Sequence, residues 1–96
     1  MNVVIIGGNE CMECRYKHIC KTYRCRVKVF TKFEGHLPDR IGNPDLIVLF
    51  TNPVSHALAR AAKNKAARNN IMLVQSHCGS GDALKTILKN QMEPGR

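Results

Sequence analysis

The opening of the chain constrains its fold more than any other stretch. Residues 3–6 form an unbroken run of β-branched side chains, which is typical of a strand that is covered on both faces. Gly7 and Gly8 follow directly, and glycine allows a tight turn because it carries no Cβ. Residues 11–23 are rich in cysteine and have a helical pattern of apolar side chains. This order predicts a strand, a turn and a helix, which is how a parallel α/β sheet begins.

The rest of the chain continues the alternation of strand and helix. We predict further strands at residues 25–31, 46–50 and 71–75, and the hydrophobic second one should be central. One helix is predicted to start with Asn52 as N-cap and Pro53 in its first position. A turn over residues 76–81 should lead into the last helix, with Ser80 as N-cap. The fold class that follows is α/β: a small four-stranded parallel sheet flanked by helices, in the order 2-1-3-4 by analogy, a truncated flavodoxin-like or Rossmann-like fold.

The length of 96 residues fits a single domain, 1–96, with a disordered tail from about residue 91. A domain of this size would bury its core better as a homodimer or a higher homo-oligomer. The five cysteines are an odd number and no secretory signal precedes them, so we expect a cytoplasmic protein with reduced thiols. The longest apolar run, residues 46–50, is too short to cross a membrane, so no membrane association is expected.

The formal net charge is +8, from 15 basic and 7 acidic residues. Such a surplus favours anionic partners. However, the chain has no tryptophan, and its five aromatic residues do not form a pattern for stacking bases. A nucleic-acid partner is therefore less favoured than a basic surface that is simply solvated.

The first helix has two different faces when it is plotted at about 100° per residue. One face should pack on the sheet, and it consists of Met12, Tyr16, Ile19, Cys20 and Tyr23. Cys20 is then a small core residue. Cys11, Cys14 and His18 share the outward face, one turn apart. Thiolate and imidazole suit zinc, iron or copper, so these three are candidate metal ligands; the alternative is that they are ordinary surface residues.

Three loops should meet at the carboxyl edge of the predicted sheet, where ligands bind in open α/β folds. They follow the first, third and fourth strands, and they carry Cys11, His56, His77 and Cys78. Soft ligands from three separate segments are thus predicted to converge on one crevice.

Five segments of the chain form a recognisable pattern: Gly7-Gly8, Lys28-Val29-Phe30-Thr31, the strand from Pro44 to Thr51, Val54-Ser55-His56 and Ser76-His77. In these segments the chain resembles a bacterial family known as domain of unknown function 2325. The resemblance implies the fold and a bacterial origin, and it suggests haem or metal binding, with His56 as the general ligand. Asn9-Glu10 stands where close relatives are expected to have His-Asp, and Cys11 and Cys78 look like additions of this chain.

The function expected from these residues is that of a non-enzymatic sensor or regulatory domain that binds haem or a transition metal, iron or zinc. The cofactor ligands would come from His56, Cys11, Cys14, His77 and Cys78, and those of a simple metal ion from Cys11, Cys14, His18 and His56. One alternative is thiol redox chemistry at Cys11 and Cys14, near a helix N-terminus. Another is binding of an anion or nucleotide at Gly79-Ser80-Gly81 and at the helix start near Asn52. No nucleophile, base and orienting residue form a recognisable catalytic set, so we expect no enzyme.

Overall fold

The computed structural model describes residues 2–32, 37–52 and 54–92. The strands are β1 (Asn2–Gly7), β2 (Arg26–Phe30), β3 (Leu46–Asn52) and β4 (Met72–Cys78). The helices are α1 (Glu13–Thr22), which follows a 3-10 turn at Glu10–Met12, then α2 (Leu37–Ile41), α3 (His56–Asn69) and α4 (Gly81–Met92). None of the helices in these ranges is both long enough and apolar enough to span a bilayer.

The four strands form one parallel sheet in the order β2-β1-β3-β4. The chain therefore starts near the middle of the sheet, goes to one edge and then crosses back to the other side of β1. The predicted fold class and strand order are both confirmed. Because all strands are parallel, the loops after β1, β3 and β4 leave the sheet at its carboxyl edge, as predicted.

Helices cover both faces of the sheet, and each face has its own core. Helices α1 and α4 pack on one face, where Tyr16, Cys20 and Phe50 are fully buried. Helices α2 and α3 cover the other face, where Leu58 and Ala62 pack on Ile6. The predicted apolar stripe of α1 is confirmed, and so is the core position of Cys20.

Two boundaries near the carboxyl edge differ from the prediction. Helix α3 starts at His56, and its N-cap is Ser55, whose Oγ accepts a hydrogen bond from Leu58 N at 3.1 Å. The prediction of Asn52 as N-cap was wrong because β3 continues to Asn52, which pairs with Cys78; Pro53 lies outside the described residues.

The prediction that residues 76–78 belong to a turn was wrong for the same reason, since β4 runs through Ser76 to Cys78. Pairing with the longer β3 extends both strands beyond their hydrophobic segments. At the C-terminus, α4 continues through Gln91 to Met92, into the stretch that was predicted to be a tail. Residues 93–96 lie outside the described residues.

Candidate functional site

The hydroxyl of Tyr16 joins two turns at the carboxyl edge of the sheet. It donates a hydrogen bond to the carbonyl oxygen of Gly79, in the turn between β4 and α4. A Cβ on Gly8 would lie 2.7 Å from this hydroxyl oxygen and a Cβ on Gly79 would lie 2.9 Å from it, so both turns approach closely because they carry glycine. The Tyr16 ring packs on Phe50, with 5.3 Å between ring centroids.

Cys78 is the last residue of β4, and its thiol is exposed beside this junction. Hydrogen bonds from the side chain and the backbone of Ser80 lower the pKa of the Cys78 thiol below its ordinary value. Ser80 is also the N-cap of α4, as predicted, since its Oγ accepts a hydrogen bond from Ala83 N at 3.1 Å. The same hydroxyl can therefore accept from the helix and donate to the thiolate, and this arrangement stabilises the anion.

The pKa of the Tyr16 phenol is affected by its burial and by the neighbouring Cys78 thiol. Burial raises its pKa, and the nearby negative charge of Cys78 raises it further. Tyr16 therefore stays a neutral donor while Cys78 ionises. We call Gly8, Tyr16, Cys78, Gly79 and Ser80 the carboxyl-edge cluster.

The candidate ligands of the first helix all lie at the surface. Cys11 is exposed in the 3-10 turn, and its backbone N–H bonds to Asn9 Oδ1 at 2.9 Å. Cys14 and His18 are exposed one turn apart on α1 and line a groove of about 650 Å³ between α1 and α4. Arg15 and Lys85 line the same groove. These two positive side chains disfavour a bound cation there.

The two remaining candidate histidines lie toward the other face of the sheet. Leu73 packs in the α2–α3 core and Val74 in the α1–α4 core, so strand alternation puts His77 on the α3 side and Cys78 on the α1 side. His77 Nε2 lies 3.5 Å from Asn52 Nδ2. His56 is exposed as the first residue of α3. Cys78 and His77 are therefore neighbours in sequence that present their side chains to different layers.

Within the described part of the chain, no three side chains of the His, Cys, Asp or Glu type are grouped closely enough to hold a metal ion. Cys11, His56, His77 and Cys78 thus lie in or beside the segments at the carboxyl edge, but the described residues do not assemble a multi-ligand centre. What the site offers is an exposed, acidified thiol beside a turn that is held by a buried tyrosine. Such a thiol can bind a soft metal centre or attack an electrophile.

Residues 2–91 match the family that is described as an uncharacterised protein conserved in bacteria, DUF2325. The chain belongs to this family. A search of curated proteins gave no match for it. The predicted resemblance is confirmed over almost the whole chain.

Among solved structures, this DUF2325 chain is similar to the lactose-specific IIB component domain of the phosphoenolpyruvate:carbohydrate phosphotransferase system from Streptococcus pneumoniae. The TM-score is 0.60 at 19% sequence identity, and the match covers 100% of this chain and 98% of the other. At this identity the likeness describes the fold, which both chains share as a parallel α/β sheet.

Sequence reasoning missed two residues of the DUF2325 site. Tyr16 was assigned to the core, correctly, but its hydroxyl also reaches the carboxyl edge. Ser80 was recognised as an N-cap, but its effect on the thiol two residues earlier was not. The signal for the second was present, because a cysteine two residues before an N-cap serine places a thiol next to a helix start.

Proposed function

We propose that this DUF2325 protein is a non-catalytic cytoplasmic regulatory domain that binds haem, with Cys78 as the protein ligand to the iron. The single observation that carries the proposal is the exposed Cys78 thiol, whose pKa is lowered by Ser80. A thiolate is an established axial ligand of haem iron. It competes best for iron when it is already deprotonated at neutral pH.

The choice of haem over a simple metal ion rests on the number of ligands. A zinc ion in a structural site needs about four protein ligands, and no group of even three candidates is assembled among the described residues. Haem brings four nitrogen ligands of its own and asks the protein for one or two. A single well-placed thiolate fits that requirement.

The surroundings of Cys78 indicate how haem would be held. Cys78 is exposed, whereas Gly8 and Tyr16 of the carboxyl-edge cluster are buried, and so is Phe50, whose ring packs on Tyr16. One copy of the chain can therefore cover only one face of a porphyrin. We infer that a homodimer covers both, and that His56 or His77 competes for the second axial position.

The test is a titration of the reduced, metal-free protein with haem, followed by the Soret band. Wild type should bind with a shifted Soret band, and Cys78→Ala should lose that shift. Cys14→Ala is the matched control, because it removes another exposed thiol that lies on α1, and it should bind like wild type. Sedimentation with and without haem would test the dimer.

Three outcomes would overturn the proposal. If wild type shows no Soret shift, the protein does not bind haem. If Cys78→Ala binds like wild type and His56→Ala does not, the ligand is the histidine. Iron or zinc in the untreated protein, found by elemental analysis and lost in Cys11→Ala, would indicate a simple metal site instead.

A second candidate function is thiol redox chemistry, and the same acidic thiol favours it. The lowered pKa of the exposed Cys78 thiol supports Cys78 as the reactive residue of this hypothesis, in place of Cys11 and Cys14. Fast disulfide exchange of wild type with oxidised glutathione, lost in Cys78→Ala and accompanied by no haem binding, would support it.

A further inference from the structure

Helix α3 presents a face that carries positive charge and no negative charge. Its sequence, His56–Asn69, contains Arg60, Lys63, Lys65 and Arg68 and no acidic residue. Arg60, Lys63 and Arg68 are exposed, and Lys65 lies at the edge of the exposed face. The buried side of the helix consists of Leu58, Ala62 and Ala66.

Helical geometry places these charges on one side of the molecule. At about 100° per residue, Lys63, Arg60 and Arg68 fall within an arc of roughly 140°, opposite to the buried residues. Asn64 lies within the arc, between Arg60 and Arg68, and adds a hydrogen-bond donor. We call Arg60, Lys63, Asn64 and Arg68 the α3 basic face.

One acidic side chain in the neighbouring groove offsets part of the positive charge of α3. A groove of about 560 Å³ runs beside α3 and is lined by Arg60, Lys65 and Arg68, with Asp39 of α2 as the acidic side chain in its lining. The two salt bridges between described residues, Lys17–Glu13 and Lys32–Glu10, lie elsewhere. Among the residues that the structure describes, the α3 basic face thus keeps a positive surplus that can interact with an external anion.

We propose that the α3 basic face binds the phosphate backbone of double-stranded DNA, independently of the base sequence. Arg60 and Arg68 are eight residues apart, which is about 12 Å along a helix. A duplex carries one phosphate charge per about 1.7 Å of its axis, so this length meets several phosphates. The small side chains of Ala57, Ala61 and Ala67, on or beside this face, allow the helix to approach the duplex closely.

Two observations favour a duplex over other anionic partners. Protein interfaces are built around apolar and aromatic anchors, whereas the large hydrophobic side chain that is exposed in the described ranges, Met72, belongs to β4. Single strands are bound by stacking of bases on aromatic rings, and α3 contains no aromatic residue except His56. What remains is recognition of charge alone, which is how proteins bind duplex DNA without specificity.

The test compares two variants with equal loss of charge. Arg60→Gln/Lys63→Gln/Arg68→Gln removes the α3 basic face, and Lys21→Gln/Lys85→Gln/Lys89→Gln removes three exposed lysines from α1 and α4. Binding to a fluorescent duplex oligonucleotide is measured by anisotropy at several salt concentrations. Circular dichroism confirms that both variants are folded.

The number of phosphate contacts predicts how strongly the DNA affinity should depend on salt concentration. Three phosphate contacts contribute a slope of about −2.7 to log K against log salt, which is a loss of roughly forty-fold in affinity between about 50 and 200 mM salt. The α3 variant should lose this component, while the control variant keeps most of it. Equal loss in both variants would assign the binding to net charge alone and overturn the proposal. Failure of wild type to bind at low salt, or equal binding of a polyglutamate peptide, would overturn it as well.

Discussion

The hydroxyl of Tyr16 donates a hydrogen bond to the carbonyl oxygen of Gly79 and so ties α1 to the turn that follows β4. The two residues are 63 positions apart in sequence. Gly8, Gly79 and Phe50 enclose the tyrosine, so this one side chain fixes the distance between the loops that follow β1 and β4. The candidate site therefore depends on a residue that belongs to the core.

Replacing Tyr16 with phenylalanine should keep the ring packing and remove the hydrogen bond. Because the partner carbonyl would then lack its donor, we expect the free energy of unfolding to fall by about 1–2 kcal/mol. Urea denaturation followed by circular dichroism measures the change. Tyr23→Phe is the control, since the Tyr23 hydroxyl makes no hydrogen bond to the described residues, and equal loss in both variants would contradict this role of Tyr16.

The acidity of Cys78 should depend on Ser80. In Ser80→Ala the thiolate loses the donated hydroxyl, so the pKa of Cys78 should rise toward the ordinary value of 9.0. The rate of iodoacetamide alkylation at Cys78, followed by mass spectrometry of its peptide across a range of pH, reports this pKa. The alkylation midpoint should therefore move to higher pH in the variant.

Ser55→Ala provides the matched control for that experiment. Ser55 caps α3 in the same way as Ser80 caps α4, with the same distance of 3.1 Å from its Oγ to a backbone nitrogen. Each substitution should cost about 1 kcal/mol of stability through loss of the cap. Only Ser80→Ala should shift the alkylation of Cys78, and a shift of similar size in Ser55→Ala would mean that loosening of the fold is the cause.

The sequence was sufficient to predict the layers of the fold because these follow from local hydrophobic patterns. The β-branched run at residues 3–6 and the apolar run at residues 46–50 became the two central strands. The period of the apolar residues in α1 identified its buried stripe. These features depend on which residues are apolar and on their spacing, and both can be read from the sequence.

The edge of the sheet was predicted less well because it depends on pairing between distant segments. Asn52 and Ser55 are both suitable N-caps, and only the pairing of Asn52 with Cys78 decides between them. That same pairing makes Cys78 a strand residue, although its surroundings in sequence are typical of a turn. The position of Tyr16 against Gly79 likewise required the arrangement of α1 and α4, which no local pattern contains.

The buried thiol of Cys20 should make the folded state less stable as the pH becomes alkaline. Burial and, to a smaller extent, the nearby Cys25 together raise the pKa of Cys20 from 9.0 to about 12. The folded state therefore favours the neutral thiol. This contribution is fully present below the pKa of the unfolded chain and is lost as the pH rises from about 9 toward about 12.

The size of this effect can be measured as a difference between two proteins. Wild type should lose about 1.4 kcal/mol of unfolding free energy through Cys20 between about pH 8 and about pH 10. Cys20→Ala lacks that loss, while other titrating groups, including Cys25, remain in both proteins. Parallel curves for wild type and Cys20→Ala in urea denaturation would show that the thiol ionises as readily in the fold as outside it.

Glycine can be required because its φ is positive or because there is no space for a Cβ, and comparison of Gly7 with Gly42 distinguishes these two reasons. Both have a positive φ, +86° for Gly7 and +67° for Gly42, which costs an L-residue about 1–2 kcal/mol. A Cβ on Gly7 would also overlap the carbonyl oxygen of Phe50, whereas a Cβ on Gly42 would meet no atom within 4 Å. We expect Gly42→Ala to lower the free energy of unfolding by about 1 kcal/mol and Gly7→Ala by about 3 kcal/mol or more. Thermal and urea denaturation of both variants measure the difference. Equal losses would mean that the turn after β1 can move away from β3, and then the close approach at the carboxyl edge would not be a fixed part of the site.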